Sequence, residues 1–247
     1  ACVPLVGAGL MVNTLTRLIT SHPGYEVDGL TTIRVTAPAS ISTPAAAMSF
    51  WRDVLEQVRM TPGVISATVG RVPPEEGAGS LTAEDTRDDP TSREGAALLV
   101  AGPRYFDVLG IPMRAGREFT DADTAGGPPV AIIDDETARR FWPDESALGK
   151  RVRYSPHLPW MIVVGVAGDV MTSRPSKGQP SFELYTPAWQ GNNPQRLSVV
   201  IRSSGSRTPL IEELRKRIRE IYPSAEISAP QLVRDMYGPS LVEPRFT

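Results

Sequence analysis

The chain has 247 residues, of which 40% are hydrophobic, and its 26 Lys and Arg against 28 Asp and Glu leave a formal net charge of −2. That length and apolar content suffice for a core in one large or two smaller domains, while the near-neutral balance offers no general attraction to nucleic acid or acidic lipid. The single cysteine, Cys2, cannot close an internal disulfide, and the 24 prolines, roughly twice the usual share, describe short elements joined by rigid turns such as Val72-Pro73-Pro74.

Ala1 to Val12 is apolar apart from glycine and one proline, there is no initiator methionine, and the first basic residue is Arg17. Twelve helical residues rise about 18 Å, against about 30 Å of bilayer hydrocarbon, so this stretch cannot span by itself. No basic segment precedes it, as a secretory signal would require. It reads as a buried core helix, a signal remnant or the outer end of a transmembrane helix.

A strand over Leu30 to Thr36 comes next, then a helix over Ala45 to Met60, the turn Pro62-Gly63 and a strand over Val64 to Val69. In the helix Met48, Trp51, Leu55 and Val58 recur at steps of three and four, with Phe50 and Val54 widening the stripe. The same strand-helix-strand order returns near the end. Leu197 to Arg202 is followed by a helix over Pro209 to Tyr222, with Ile211, Leu214, Ile218 and Ile221 on one face, and then by Ala225 to Ser228. Glu212 with Lys216 and Glu213 with Arg217 form i to i+4 pairs outside that stripe, so Arg215-Lys216-Arg217 reads as a solvated helix face. Each unit alone leaves a sheet face and a helix stripe uncovered. Pairing the two predicts an α+β fold: a four-stranded antiparallel, split βαβ ferredoxin-like sheet backed by two helices.

The residues between the copies, about Glu75 to Gln195, read as an inserted α+β module with its own core. A charged stretch from Ala83 to Glu94 precedes the apolar run Ala96 to Ala101, and a short turn over Pro103 to Leu109 ends at Gly110. Val130 to Ile133 reads as a buried strand, and Asp134 or Asp135 caps a helix through Phe141-Trp142, stopped by Pro143. Val152 to Tyr154, Trp160 to Val170 and Phe182 to Tyr185 follow as strands. At the far end, a helical stretch from Leu232 through Met236 and Leu241 stops at Pro244. Both ends of the chain read as truncated.

Little in the chain carries catalytic chemistry. The one Gly-Lys, Gly149-Lys150, lacks the upstream glycine and the following hydroxyl of a phosphate-cradling loop. Gly7 and Gly9 follow no strand and read as helix packing. His22 and His157 are far apart beside proline-containing loops, too little for a histidine zinc site or a serine triad. Asp134-Asp135-Glu136 after a buried strand is the sharpest enzyme-like feature, yet an N-cap with acidic first-turn residues explains it better than acid–base or cation chemistry. Asp121-Ala-Asp123 and Asp85 to Asp89 read as a turn and a solvated loop. Trp142 and Trp160 sit beside core runs and read as packed. Trp189, ahead of Gly191-Asn192-Asn193, reads as an exposed partner contact. No catalytic, cofactor or metal residues are assigned.

Several segments together carry a family resemblance: Gly7-Ala-Gly-Leu, Pro62-Gly-Val64, Tyr105-Phe-Asp-Val-Leu-Gly-Ile-Pro112, Gly116-Arg-Glu-Phe-Thr120, Ala138-Arg-Arg-Phe-Trp-Pro143, Leu148-Gly-Lys150, Val163-Val-Gly-Val166, Gly168-Asp-Val170, Tyr185-Thr-Pro187 and Glu243-Pro-Arg-Phe246. In this order they resemble the MacB-like periplasmic core domain of ABC transporter permeases, and most nearly the large permeases with MacB-like and FtsX-like regions of soil bacteria such as acidobacteria. The resemblance implies a porter-like subdomain over 27–73 and 196–233 and a Sabre-like subdomain over 74–195. Residues 1–26 would be the membrane-proximal end of one transmembrane helix and 234–247 the lead-in to the next.

It further implies an inner-membrane protein whose domain faces the periplasm and transmits ATP-driven movement without catalysis or cofactor. The expected partners are the membrane-embedded remainder of the permease and a cytoplasmic ATPase, with a periplasmic adaptor or outer-membrane protein beyond them. The isolated domain is expected to be a monomer. The alternative is a free periplasmic binding or scaffold protein on the same body.

Overall fold

The computed structural model describes residues 24–73, 77–84, 94–170, 182–190, 195–204 and 207–236. Strand β1 (Leu30–Thr36) leads into helix α1 (Pro44–Arg59) and strand β2 (Val64–Gly70). Thr43 caps α1: its hydroxyl accepts the Ala46 N–H at 3.2 Å, and Pro44 follows where no N–H is needed. The expected stripe is the buried one, with Ala47 added and Met48 only half-buried. Arg59 closes the unit by donating to the Ala67 carbonyl of β2 from Nε and Nη2, at 3.3 and 3.1 Å.

The middle of the chain supplies strands β3 (Gly77–Ala83) and β4 (Glu94–Ala101), the short helix α2 (Tyr105–Leu109), strands β5 (Met113–Gly116) and β6 (Val130–Asp134), helix α3 (Asp135–Phe141), and strands β7 (Arg151–Arg153), β8 (Met161–Ala167) and β9 (Phe182–Pro187). Neither β3 nor β5 is expected from the sequence, and β8 is shorter than the Trp160 to Val170 run. Gly110 ends α2 at φ 73°, a left-handed value that suits glycine.

Strand β10 (Arg196–Ser203), helix α4 (Arg207–Ile221), strands β11 (Glu226–Ile227) and β12 (Gln231–Leu232) and the single turn α5 (Val233–Met236) complete the chain. The four flanking strands run in the order β11-β1-β10-β2, all antiparallel, with Ile33 opposite Val199 and Val200 opposite Thr68. This is the predicted ferredoxin-like sheet. One face carries α1 and α4 over Ile33, Val35, Ala67, Val69, Val199 and Ile201. Ile221, expected in the α4 stripe, is 43% exposed; Leu210 takes the fourth buried place as the helix emerges from the core in its last turn. Glu212 pairs with Arg215 rather than with Lys216, while Glu213 pairs with Arg217 as expected.

The inserted strands close on themselves. Pairing runs β4-β3-β7-β8-β6-β9, and β9 then pairs with β4 in parallel, from Ala96 opposite Phe182 to Ala101 opposite Pro187, so six strands form a ring. Inside it lie alternate residues of the strands, among them Leu81, Ala96, Ala131, Val152, Val163 and Leu184. The outward residues Leu99, Val130, Ile132 and Tyr185 belong to a different cluster, shared with α2 and with Leu30 and Val200 on the helix-free face of the ferredoxin-like sheet. Helix α2 therefore sits as a wedge between the two bodies, with Tyr105, Phe106, Val108 and Leu109 all buried.

A register shift between β6 and β8 accounts for Val163-Val-Gly-Val166. It turns Val163 and Val166 inward and leaves Gly165 against the Arg117 carbonyl and the Met113 methyl, 2.5 and 2.8 Å from where a Cβ would stand. Gly116, at φ 74°, lies against the Val164 carbonyl with no room for a side chain.

Candidate functional site

Two places concentrate polar groups in the interior. The first is where the two bodies meet. Strand β2 meets β4 through one bridge, Gly70 opposite Ala101. Backbone bonds from Gly102 to Val69 and from Arg71 to Val100, at 2.8 and 2.9 Å, extend the contact. The Tyr105 hydroxyl donates to the Arg71 carbonyl at 2.6 Å, Tyr25 donates to Pro73 at 2.9 Å, and Thr68 donates to Pro103 at 2.9 Å. At the other end of the wedge Arg202 of β10 donates from Nε and Nη2 to the Val108 carbonyl, at 3.1 and 3.0 Å, and from Nη1 to the Asp28 carbonyl at 3.1 Å. It also faces the Glu26 carboxylate at 3.1 Å. One guanidinium thus ties sheet, wedge and entry segment together, since its planar fork of donors reaches carbonyls in several directions.

The second place is a pair of buried carboxyls, Asp134 at the end of β6 and Glu183 in β9, 1% and 0% exposed. Asp134 is the N-cap of α3: its Oδ1 accepts the Thr137 N–H at 3.3 Å and also the Glu183 N–H at 3.1 Å. Glu183 accepts the Val170 N–H at 3.3 Å and the Tyr185 hydroxyl at 3.2 Å on Oε2. Among the described residues, Asp134 Oδ2 and Glu183 Oε1 have no hydrogen-bond donor. Burial pushes the Asp134 carboxyl up to about 7, partly opposed by its bonds from Thr137 and Glu183. Burial, then the neighbouring Asp134, raises Glu183 well above its ordinary value, and burial followed by Glu183 does the same to the Tyr185 phenol. Both carboxyls are closed from solvent, and burial favours their protonated forms.

Around α3 the acidic residues serve structure. Asp169 accepts the Glu136 N–H at 2.7 Å, and Arg139 is shared by Asp135, Glu136 and Asp169. The cap reading of Asp134 therefore holds. Its partner Glu183 is not singled out by the sequence reading, although a carboxylate inside the apolar run Phe182 to Tyr185 is the signal that marks it. Asp123, in the expected turn, is pushed up by burial but held below its ordinary value overall by the Arg117 guanidinium and Thr120, with Arg117 at 2.8 and 2.9 Å.

The tryptophans depart from expectation. Trp189 is not an exposed contact: it is 6% exposed and packs in the cluster beneath α1, because the Ala188 N–H bonds the Ala101 carbonyl at 2.9 Å and turns the chain inward there. Trp160, expected in the core, is half-buried under Arg153, whose guanidinium carbon lies 4.5 Å from the ring centroid. Trp142 is buried as expected, and His157 is exposed. Gly7, Gly9, His22, Asp85 to Asp89, Asn192 and Glu243 to Phe246 lie outside the described residues. Among the described residues no cluster of His, Cys, Asp and Glu is arranged to hold a metal ion.

Comparison with known proteins gives a consistent family. The model of the MacB-like periplasmic core domain matches residues 4–222. The macrolide export ATP-binding/permease protein MacB 1/2 of Paracoccus denitrificans is 29% identical over 180 residues, covering 73% of this chain and 22% of that protein. MacB of Aggregatibacter actinomycetemcomitans is 28% identical over 92 residues, covering 37% of this chain and 14% of its own. The chain therefore spans about a fifth, or less, of these relatives. In fold, the periplasmic region of MacB from Actinobacillus actinomycetemcomitans matches with a TM-score of 0.57 at 17% identity, covering 90% of this chain and 96% of that one. The extracellular domain of the noncanonic ABC-type transporter YknZ from Gram-positive bacteria gives 0.51 at 17%, covering 80% and 100%. With a family match spanning both flanks and the insertion, this chain belongs to the MacB-like periplasmic core domains of ABC permeases.

Proposed function

We propose that this chain is the periplasm-facing part of an inner-membrane ABC permease and that it acts mechanically, carrying ATP-driven movement of membrane helices into substrate export or envelope handling without catalysis of its own. The observation that carries this reading is the meeting of entry and exit: Thr31 of β1 lies opposite Leu232 of β12, so both flanks of the domain feed one sheet. Movement of either flank is delivered to that sheet and, through Arg202 and α2, to the strand ring. Residues 27–73 and 196–233 then act as the porter-like part and 74–195 as the Sabre-like part, with 1–26 and 234–247 leading to membrane helices. Among the described residues no helix is long and apolar enough to cross a membrane. Its partners are the membrane-embedded remainder and a cytoplasmic ATPase, with an adaptor or outer-membrane protein beyond.

Two measurements test this. The reading frame is expected to encode about 20 apolar residues adjoining each end of the segment. Hydrophilic flanks would overturn attachment and favour a free periplasmic binding or scaffold protein. In the full-length permease with its ATPase in nanodiscs, a spin label at Leu158, which is 47% exposed, is expected to shift its distance from a headgroup label when ATP binds. An unchanged distance would overturn transmission.

A further inference from the structure

Among the described residues the six-stranded ring is stoppered at one end only. Helix α3 follows the last residue of β6, and its Phe141 and the adjoining Trp142 pack into the ring interior at the end where β9 begins, with Phe141 and Phe182 centred 6.0 Å apart. At the opposite end, where β4 and β9 finish and β6 and β8 start, there is a cavity of about 410 Å³. Leu98 and Val100 of β4, Thr186 of β9 and Met161 of β8 form its floor, and Tyr154 and Leu158 of the β7–β8 connection form one wall. The loop carrying Ala125, Gly127 and Pro129 forms the other. The phenol end of Tyr154 lies over Gly79 of β3, its Cζ 2.3 Å from where a Cβ would stand, so glycine there is what admits the phenol to the wall.

Among the described residues the lining carries no charge. Its most polar member, Gln190, is occupied with the protein itself: the amide accepts the Val130 N–H at 3.0 Å and donates to the Pro128 carbonyl at 2.7 Å. Thr186 directs its hydroxyl to the Leu99 carbonyl at 3.5 Å. An ionised ligand would therefore lose its hydration with no counter-charge to replace it, whereas apolar surface would be covered on several sides. The volume is within the range of small-molecule sites, and barrel mouths are a recurrent place for them.

We propose that the open mouth of the strand ring is a binding site for one uncharged, predominantly apolar small molecule. The proposal stands apart from the mechanical reading, because it concerns the ring alone and is tested without membrane or ATPase.

The test is a fluorescence titration of the 247-residue protein with N-phenyl-1-naphthylamine, an uncharged apolar probe. Saturable binding at one site with blue-shifted emission is expected. Ala125→Trp fills the cavity from an exposed position, and Leu158→Asp puts a carboxylate on its 47% exposed rim. Each is expected to weaken binding at least about tenfold while leaving the thermal midpoint unchanged, and the sulfonated analogue 1-anilinonaphthalene-8-sulfonate is expected to bind more weakly by a similar factor. Non-saturable uptake, wild-type affinity in both variants, or equal affinity for the sulfonated probe would overturn the proposal. So would probe displacement by rising protein concentration together with dimers in sedimentation, which would assign the cavity to a second copy of the chain.

Discussion

Ile33 faces Val199 across the β1–β10 ladder, one residue from each flank, and both are buried under the same two helices. The insertion leaves and returns between them, so the first core of this protein exists only when sequence-distant segments meet. Ile33→Ala is expected to cost about 2–5 kcal/mol in urea unfolding, Val199→Ala rather less, and the double variant to show a coupling of roughly 0.5–3 kcal/mol. A peptide of residues 24–73 alone is expected to be unfolded by circular dichroism.

Arg202 gives the wedge its hold. Arg202→Met keeps the stem but removes the donors on the Val108 and Asp28 carbonyls, and is expected to cost about 1–3 kcal/mol. Hydrogen exchange is expected to accelerate at Gly110 and Ile111, whose N–H groups close the end of α2, before it changes in α1.

The buried carboxyl pair is expected to make stability fall as pH rises. The folded-state value of Asp134, about 7, lies above the unfolded value of 3.8, so the folded state holds the extra proton. Its contribution is complete below about pH 4 and is lost as pH climbs through 7, by roughly 4 kcal/mol at 1.36 kcal/mol per unit. The upward shift of Glu183 acts with the same sign. Asp134→Asn keeps a capping side chain and removes the charge, so the thermal midpoint between pH 5 and 8 is expected to flatten and to exceed the wild-type value at pH 8. An unchanged slope would contradict this account.

Trp189→Ala tests its new position. A surface anchor could be truncated with little loss, but an indole 6% exposed beneath α1 is expected to cost about 3–5 kcal/mol in chemical denaturation.

What could be read from residues alone follows from how local the signal is. The flanking units declare themselves because α1 and α4 each bury one stripe and their strands bury one face, so periodicity carries the information. The cap at Asp134 is local too. Ring closure is not: β3 is Gly-Ala-Gly-Ser-Leu-Thr-Ala, with too few large apolar residues to mark a strand, and the β4–β9 pairing joins segments whose proximity no short pattern expresses. Trp189 sits beside turn residues that mark a surface loop, and only the turn onto Ala101 draws it inside. The glycines of the resemblance motifs gain reasons from geometry, as at Gly110 and Gly116, where left-handed backbone or a neighbouring carbonyl excludes a side chain.

The opposition of Thr31 and Leu232 has a further consequence. A fold whose entrance and exit lie side by side can replace a short connection in a host chain without stretching it, since the gap that a tether would have to bridge is already closed by the sheet. A flexible loop would cost about 0.6 kcal/mol for each doubling of its length, whereas a folded insert whose ends are already paired closes the host chain as a short connection would. Both flanks of the domain thus leave its sheet from one place.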